Sequence, residues 1–383
     1  MRILYDFQAF NNQQYGGVSR FFCELLYYFH KTNLVDFEIG LASTKNIYFQ
    51  KRSALLDHRV ASVEKTMTDL TPIFKARHFM MWLNFISNMR ILNRDKKITI
   101  DAIEKGKFDI FHPTYYDPYF LPYIHKKPFV LTVYDCLHER FPEFVVTGDK
   151  TAENKRLLIS KARKIIAISQ ETKKDLMYFY NIADKKIEVV PLAPMLIPEE
   201  NPPSQRMPSF QYLMYVGNRG GYKNFNTFID KVTKVLKKKD LHIVCAGSDP
   251  FDPTEAGHFS RLGIGSRIHH VPIKNDQILC TLYKKAIAMV VPSITDGFSL
   301  PILEAFCNKC PVLANDSGIN REIAGAAALY FHVDYSTSTC RAIESIFNSK
   351  TTRDTYIKYG EKRVRNFSLK KCAYKTYEVY KSI

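Results

Sequence analysis

The chain has 383 residues, of which 46% are hydrophobic, so it is long enough to bury the cores of two domains. Its 55 Lys and Arg residues outnumber its 38 Asp and Glu residues, and the formal charge of +17 favours anionic ligands or surfaces. Nucleic acid is disfavoured as a partner, because neither zinc-finger spacing nor an RNA-binding motif is present. No stretch approaches the ~20 apolar residues of a membrane span and the N-terminus lacks a secretory signal, so we expect a cytoplasmic protein.

Strand and helix signals alternate along the first half of the chain, which is typical of α/β folds. Gly16 and Gly17 precede a predicted helix at residues 21–29, and Ser169 is the predicted N-cap of a later helix. The predicted strands of this half cover residues 2–5, 108–111, 129–133 and 164–168.

Residues 74–97 form a basic segment in which apolar residues recur at spacings of three and four, which predicts one apolar helical face. A basic amphipathic helix is typical of a surface attracted to anionic lipid. The alternative, an ordinary amphipathic helix packed on its own domain, is equally compatible with the pattern. The bases are Lys75, Arg77, Arg90, Arg94, Lys96 and Lys97, and the apolar residues are Phe79, Trp82, Phe85, Ile86 and Met89.

Four prolines and polar neighbours make residues 198–208 the clearest candidate for a linker between domains. The strand and helix alternation then resumes, which predicts a second α/β domain. Its predicted strands cover residues 213–216, 241–246, 268–271, 288–291 and 312–314, and an aromatic helical pattern ends the chain at residues 369–383.

The first predicted strand of the second domain runs directly into a glycine-rich loop, G-N-R-G-G-Y-K-N, at residues 217–224. Glycine after a strand lets the backbone approach a ligand closely. Arg219 and Lys223 place two cations on this loop, which suits a diphosphate because Arg offers forked hydrogen bonds and Lys a point charge. A solvated basic loop is the alternative.

A second polar loop, at residues 293–299, follows an apolar strand and leads into a helix at Pro301, which suits a first helical position. The N-terminus of a helix presents free amides and a positive dipole end to a phosphate. Asp296 and Glu304 are separated by seven residues across this junction, and such carboxylates accept hydrogen bonds from sugar hydroxyls. The segment therefore predicts a site for a phosphorylated sugar.

This D-x7-E segment, with its flanking V-P-S and G-F-S-L-P-I-L-E-A, resembles the E-x7-E signature of the family 4 retaining glycosyltransferases. The resemblance implies an α/β GT-B fold, in which two Rossmann-like domains face each other across a cleft. The implied domains are residues 1–197 on the acceptor side and 209–365 on the nucleotide-sugar side. The C-terminal helix, at residues 366–383, would cross back to the first domain.

The resemblance also implies a role for each residue that matches the family pattern. Glu304 would bind the ribose hydroxyls of the donor, and Asp296 would face its sugar or pyrophosphate, although Asp is one methylene shorter than the usual Glu. Arg219 and Lys223 would neutralise the diphosphate. The remaining donor-binding positions are Gly17, Gly217, Gly297, Phe298, Ser299 and Leu300.

In the first domain, T-V-Y-D at residues 132–135 resembles the family segment that reaches into the cleft after a strand. Asp135 and His138 are the polar residues there that would contact the donor sugar or the acceptor hydroxyl. A capping or core role is the alternative for His138. The Gly16-Gly17 pair resembles the N-terminal glycine loop of the family, with a plain tight turn as the alternative.

Taken together, these segments predict a retaining glycosyltransferase that moves a sugar from a nucleotide-diphosphate sugar, with GDP-mannose preferred, to a glycan or lipid-linked glycan in cell-surface polysaccharide synthesis. Such an enzyme would work in the cytoplasm, at the inner face of the membrane. The alternatives are a GT-B sugar-nucleotide epimerase, a sugar-nucleotide-binding scaffold without activity, or a phosphorylase. Dinucleotide dehydrogenases and P-loop enzymes are disfavoured, because their glycine motifs are absent.

No metal or other cofactor is predicted, because Arg219, Lys223 and a helix dipole would neutralise the diphosphate and no D-x-D triplet occurs. The C-x-x-C at Cys307 and Cys310 has no second cysteine pair and no nearby His ligand, so it is weak evidence for zinc. We interpret both cysteines as small core residues.

Overall fold

A computed structural model describes residues 1–59, 77–196, 207–247 and 249–383, with residues 77–90 described by their backbone. The predicted apolar face at residues 79–89 lies outside the described side chains, and most of the predicted linker lies outside the described residues. The helix that follows runs over Arg77–Lys105. In the part of the chain that is described, no helix combines the length and apolar character needed to cross a membrane.

The N-terminal half is a parallel α/β unit. Its strands pair in the order β2-β1-β3 and β4-β5-β6, and a parallel bridge between Phe111 and Phe129 joins the two groups. The strands are β1 (Arg2–Tyr5), β2 (Asp36–Ile39), β3 (Ile110–His112), β4 (Val130–Val133), β5 (Lys164–Ala167) and β6 (Ile187–Val189). The helices are α1 (Gln8–Asn12), α2 (Gly17–Thr32), α3 (Ile47–Lys51), α4 (Arg77–Lys105), α5 (Leu137–Arg140), α6 (Thr151–Lys161) and α7 (Gln170–Tyr180).

The C-terminal half has one parallel six-stranded sheet in the order β12-β11-β10-β7-β8-β9, which is the doubly wound order of a Rossmann fold. Its strands are β7 (Tyr212–Val216), β8 (His242–Ala246), β9 (Ile268–Val271), β10 (Ala288–Val291), β11 (Val312–Asn315) and β12 (Ala328–Phe331). Its helices are α8 (Phe225–Lys239), α9 (Pro253–Arg261), α10 (Asp276–Lys285), α11 (Leu300–Cys307), α12 (Gly318–Ala324), α13 (Ser336–Asn348) and α14 (Lys350–Val364).

Local signals account for several helix starts. Ser169 caps α7 as predicted, because its side chain accepts a hydrogen bond from the Thr172 amide. Asp252 and Glu255 form a reciprocal capping box at the start of α9. One prediction needs correction: α11 begins at Leu300, so Pro301 is its second residue. Proline is tolerated there because that amide also has no partner within the helix.

The last helix, α15 (Leu369–Lys381), lies against α2 and β5 of the N-terminal half. Its buried Tyr380 hydroxyl is 2.6 Å from the Tyr5 hydroxyl and 2.6 Å from His112 Nδ1. The other ring nitrogen of His112 is 2.9 Å from the Thr132 hydroxyl. Burial lowers the pKa of His112 to about 3, so the ring is neutral in this network.

The two halves also contact each other directly. The Glu322 carboxylate of α12 accepts hydrogen bonds from the amides of Gln170, at 2.7 Å, and Glu171, at 3.0 Å, which places a negative charge at the N-terminus of α7. Gly297 lies against the Tyr134 backbone so closely that a Cβ atom at Gly297 would be 1.8 Å from the Tyr134 carbonyl oxygen. The loops after β4 and β10 therefore meet across the cleft.

Candidate active site

A cavity of about 740 Å³ lies between the two halves. It is lined by residues that follow β4, β5 and β6 on one side and β7, β8, β9 and β10 on the other. In open parallel sheets, ligands bind at the carboxyl ends of the strands, because the loops and helix N-termini converge there. The position of the cavity is therefore that of a ligand site.

Lys223 and Asp296 face each other in this cavity. Lys223 ends a short 3₁₀ turn after β7, and its Nζ is 2.7 Å from Asp296 Oδ2 on the loop after β10. Burial by itself would lower the pKa of Lys223, but Asp296, with smaller contributions from Tyr222 and Asp135, opposes burial and the pKa is raised. Lys223 therefore keeps its charge near neutral pH, and the cavity contains a permanent cation.

Arg219 belongs to the same loop but does not line the cavity. Its Nε is 2.6 Å from Glu255 Oε1, and its Nη2 donates to the Asp249 carbonyl oxygen at 3.0 Å. The guanidinium lies over the Phe251 ring, 4.8 Å from its centroid. In this structure Arg219 supports the start of α9, so its role at a diphosphate stays a prediction.

The N-terminus of α11 borders the cavity as predicted from the sequence, but two amides at the junction between the preceding loop and this helix are used locally. Gly297 N–H donates to Asp296 Oδ1 at 3.0 Å, and Leu300 N–H donates to the Phe298 carbonyl oxygen at 2.6 Å. The amides of Phe298 and Ser299 donate to no described residue, so they offer the free N–H groups expected at a helix start. The buried Ser299 hydroxyl donates to Asn320 Oδ1 at 3.0 Å, and Ser299 is not among the residues that line the cavity.

Glu304 lies one turn into α11 and lines the cavity. The Tyr283 hydroxyl of α10 donates to Glu304 Oε2 at 3.1 Å. Burial raises the pKa of Glu304, while the nearby Arg20 guanidinium opposes this rise. A ligand that donates hydrogen bonds to the ionised Glu304 carboxylate would therefore lower the pKa of Glu304.

The two predicted residues of the T-V-Y-D segment separate. Asp135 lines the cavity, and the buried Lys155 holds its backbone in place through a 2.9 Å hydrogen bond to the Asp135 carbonyl oxygen. His138 lies on α5 and does not line the cavity, and its Nε2 is 3.1 Å from Asp149 Oδ2. His138 makes no capping hydrogen bond at α5 and pairs with the Asp149 carboxylate, so its position supports neither the cap nor the predicted contact with a ligand.

The three glycines predicted for the donor site, Gly17, Gly217 and Gly297, all line the cavity. Gly17 is the first residue of α2, and an added Cβ there would lie 3.8 Å from Leu300 across the cleft. Gly217 adopts φ +106°, a conformation that other residues rarely reach, and so turns the chain sharply after β7. This turn brings the following loop back to the cavity.

Sequence reasoning missed several residues that the structure brings to the site. Arg20, Tyr48 and Tyr222 line the cavity, and Asp276 is bonded to Arg20. Arg20 had one visible signal, since it is a charged residue on the otherwise apolar face of a helix. The contribution of the others depends on which loops meet in the fold, so no local pattern marks them.

Among the described residues, no cluster of three or more His, Cys, Asp and Glu side chains has the geometry of a metal site. The C-x-x-C cysteines are separate thiols: Cys310 is buried and Cys307 is half-buried. Burial raises the pKa of Cys310 to about 12, so its thiol is protonated. The interpretation as a core residue agrees with the position of Cys310, whereas Cys307 is only partly buried.

Two family descriptions match this chain in sequence. Residues 198–363 match the family described as glycosyl transferases group 1, and residues 57–193 match the one described as glycosyltransferase family 4. The chain therefore belongs to the glycosyltransferases that these two descriptions cover. The resemblance inferred from the D-x7-E segment is therefore confirmed.

Curated relatives of this glycosyltransferase include the O-antigen chain mannosyltransferase RfbU of Salmonella typhimurium, 24% identical over 216 residues. That match covers 56% of this chain and 60% of RfbU, so the chain spans about three fifths of this relative. An uncharacterized glycosyltransferase of Methanocaldococcus jannaschii is 22% identical over 326 residues, covering 79% of this chain and 81% of that protein.

Solved structures agree with the fold. A glycosyltransferase from Rickettsia africae superposes with a TM-score of 0.68 at 18% identity, covering 100% of this chain and 98% of that one. HepE from Anabaena, solved in complex with UDP-glucose, gives a TM-score of 0.72 at 13% identity and covers 100% of both chains. The predicted GT-B fold, with two Rossmann-like domains around a cleft, is confirmed.

Proposed function

We propose that this glycosyltransferase moves mannose from GDP-mannose to a hydroxyl of a glycan or lipid-linked glycan, with retention of the anomeric configuration. One observation carries the proposal: a single cavity between the halves contains Lys223 with Asp296, the start of α11, Glu304 and Asp135. These groups come from both halves. They supply a cation and free amides for a charged leaving group, and carboxylates for the hydroxyls of a ribose and a sugar.

The chemistry follows from where charge develops. The bond between the sugar C1 and the diphosphate oxygen breaks, and negative charge grows on the leaving phosphate. Lys223 and the free amides at the start of α11 are preorganised to stabilise that charge. The acceptor oxygen then bonds to C1 from the same face, and its proton passes to the leaving phosphate.

Glu304 is the proposed ribose ligand, because an ionised carboxylate accepts hydrogen bonds from two neighbouring hydroxyls. For Asp296 we propose that it positions Lys223, whose Nζ lies 2.7 Å from its carboxylate, in addition to facing the sugar or the pyrophosphate. We propose that Asp135 faces the transferred sugar or the acceptor hydroxyl from the opposite wall. No metal is required in this scheme, because Lys223 and the α11 terminus meet the diphosphate.

The choice of mannose rests on the relatives. RfbU is an O-antigen chain mannosyltransferase, and a relative from Mycolicibacterium hassiacum, 23% identical over 166 residues, is an α-(1→4)-mannosyltransferase. HepE, by contrast, is described with UDP and UDP-glucose. GDP-mannose and a cell-surface polysaccharide acceptor at the inner membrane face are therefore the proposal, and UDP-glucose is the donor to test against it.

The test is a thermal-shift panel of GDP, GDP-mannose, UDP and UDP-glucose, each with and without magnesium. A ligand at 100 times its Kd stabilises the fold by about 2.7 kcal/mol. We expect the guanosine pair to raise the melting temperature without metal, and the anomeric signal of the product in NMR to match that of the donor. A shift with the uridine pair alone would contradict the donor assignment, and no shift with any nucleotide would contradict the function.

Replacement Glu304→Gln tests the ribose role, because the amide keeps the shape but loses the charge. Hydrogen bonds to charged groups contribute about 1.5–3 kcal/mol, so we expect GDP to bind about 10- to 100-fold more weakly by calorimetry. Glu344→Gln is the control, since Glu344 forms a partly exposed pair with Lys238 on the outer surface. A Glu304→Gln variant that binds GDP with wild-type affinity would show that Glu304 does not bind the ribose.

A further inference from the structure

Arg20 makes a forked contact across the cleft. It lies on α2, where its neighbours Phe21 and Phe22 are buried, and only 9% of Arg20 is exposed. Its Nη1 and Nη2 donate to the two oxygens of Asp276, at 3.3 and 2.9 Å, and Nη2 also donates to the Met195 carbonyl oxygen at 2.8 Å. This is the planar, two-point geometry in which Arg binds a carboxylate most strongly.

The partners belong to different halves. Arg20 and Met195 lie in the N-terminal half, whereas Asp276 is the first residue of α10 in the C-terminal half. The positive end of the α10 dipole stabilises the Asp276 carboxylate. The ion pair therefore fastens the start of α10 to the opposite wall of the cavity.

Helix α10 also contacts Glu304 of α11. Tyr283, which donates to Glu304 at 3.1 Å, follows Asp276 by seven residues, or about two helical turns, so both side chains lie on one face of α10. The charge of Arg20 acts on Glu304 directly, lowering its pKa, while Asp276 raises it. The other ionisable groups facing Glu304 are Tyr283, Tyr48 and Cys307.

One donor of Arg20 is unused. Its Nε is buried and makes no hydrogen bond with any described residue. Arg20 also lies over the Tyr48 ring, 5.0 Å from its centroid, which fixes the guanidinium plane. A buried, fixed and partly unpaired cation beside Glu304 has more than a packing role.

We propose that Arg20 is a positioning residue of the donor site: it joins the two halves through Asp276, and it holds α10 so that Tyr283 places the Glu304 carboxylate for the ribose. The second part of this inference rests on the proposed function. The first part, the join between the halves, does not depend on which ligand the cavity takes.

The two partners of the pair have opposite effects on Glu304, and this gives a test. GDP binding is measured by calorimetry between pH 5 and pH 8 for the wild type, Arg20→Gln, Arg20→Lys and Asp276→Asn. Affinity should fall as the pH decreases through the pKa of Glu304, because the ribose binds the ionised carboxylate. In Arg20→Gln this fall should begin at higher pH, with binding about 10-fold weaker at pH 7; in Asp276→Asn it should move to lower pH.

Arg20→Lys keeps the charge and should keep the pH midpoint, while losing the forked contact. The matched control is Arg52→Gln, because Arg52 contacts Glu24 of the same helix α2 in a two-point pair, at 2.8 and 3.0 Å, away from the cavity. It should bind GDP like the wild type. Equal weakening of Arg20→Gln and Asp276→Asn at every pH, without movement of the midpoints, would overturn the effect on Glu304.

The join is tested without a nucleotide by small-angle X-ray scattering. The radius of gyration of Arg20→Gln should exceed that of the wild type, while Arg52→Gln should not differ from it. Equal radii in all three proteins would overturn the join. If the wild type binds neither GDP nor UDP at any pH, the proposed function fails, whereas the scattering result still decides whether Arg20 joins the halves.

Discussion

Arg219 and Lys223 lie four residues apart on the loop after β7, and they serve different regions of the molecule. Lys223 points into the cavity and pairs with Asp296 at 2.7 Å, on the loop that follows the neighbouring strand β10 of the same sheet. Arg219 points to the flank, where Glu255 and the carbonyl oxygen of Asp249 receive its hydrogen bonds. Two cations that look equivalent in sequence are thus separated by the course of the backbone.

The presence of a charged residue on a loop is therefore not enough to identify it as a ligand-binding group. Both cations already have carboxylate partners, but the Lys223 pair lines the cavity, where we propose that the diphosphate binds, and the Arg219 pair supports the first turn of α9. A phosphate that enters the cavity competes with Asp296 for Lys223. It would have to separate Arg219 from Glu255 to reach the second cation.

Gly297→Ala should have the largest effect on the transfer rate, because it disturbs the contact between Lys223 and Asp296 and leaves the surroundings of Arg219 unchanged. The new Cβ would be 1.8 Å from the Tyr134 carbonyl oxygen, so the loop that holds Asp296 must move away. Displacement of reacting groups by about 1 Å costs about 10²-fold in rate. The transfer rate should fall by that factor in a steady-state assay.

The control for this prediction is Gly220→Ala. Gly220 lies on the other loop with φ −82°, and an added Cβ there has no atom within 4 Å. Its rate should equal that of the wild type. A Gly297→Ala enzyme with wild-type kcat would show that the contact with Tyr134 does not position the site.

Lys223→Met should have the next largest effect. It removes the cation that we propose for the leaving phosphate and leaves the Asp296 carboxylate without its cationic partner. Loss of a charged hydrogen bond costs about 1.5–3 kcal/mol, or about one to two decades in kcat. Stopped transfer assays at saturating donor measure this, and an unchanged kcat would refute the role of Lys223 at the diphosphate.

Arg219→Met should lower stability more than rate. It leaves the Glu255 carboxylate, which is 14% exposed, without its main partner, at a cost of about 1–3 kcal/mol in the free energy of unfolding. Chemical denaturation measures this cost, and kcat should change less than about threefold, below one decade. A loss of rate equal to that of Lys223→Met would instead show that Arg219 leaves Glu255 when the donor binds.

The stability effect of Arg219 has a defined pH dependence. Hydrogen bonding from Arg219 lowers the pKa of Glu255 below its ordinary value of 4.5, so the pair contributes stability that is fully present above that value. This contribution is lost as the pH falls through the folded-state pKa. The difference in melting temperature between the wild type and Arg219→Met should therefore be constant near pH 7 and narrow below about pH 4.

Asp296→Glu should have the smallest effect. It restores the residue usual in the family and keeps the charge beside Lys223, while the extra methylene must fit a contact that is already 2.7 Å long. We expect a change of less than about threefold in kcat, well under 1.4 kcal/mol. A decade of gain or loss would show that the shorter Asp is a requirement of this site and not a tolerated variant.

Much of the molecule could be predicted from local sequence. Alternating strand and helix signals indicated two α/β halves, the cap at Ser169 was correct, and the D-x7-E segment lay on the loop and helix expected for it. Glu304, Asp296, Lys223 and Asp135 all line the cavity. Such features depend on neighbouring residues, so a single sequence carries them.

Other features depended on which distant segments meet. The sequence did not indicate that Arg219 turns to α9, that His138 bonds to Asp149 outside the cavity, or that Arg20 reaches Asp276. In each case the partner belongs to another element, and charged side chains are long enough to choose between several directions. Local patterns show that a charge is present but not where it points.

By itself, the sequence determined the fold class, the family and the position of the D-x7-E segment, because backbone propensity and hydrophobic spacing act over a few residues. Which charged side chains line the same cavity depends on the tertiary structure, because the paired residues are far apart in the sequence. Lys223 and Asp296 are 73 residues apart, and Arg20 and Asp276 are 256 apart. The packing of the two sheets and the close approach at Gly297 bring these pairs together, and the short range of a hydrogen bond makes that approach decisive.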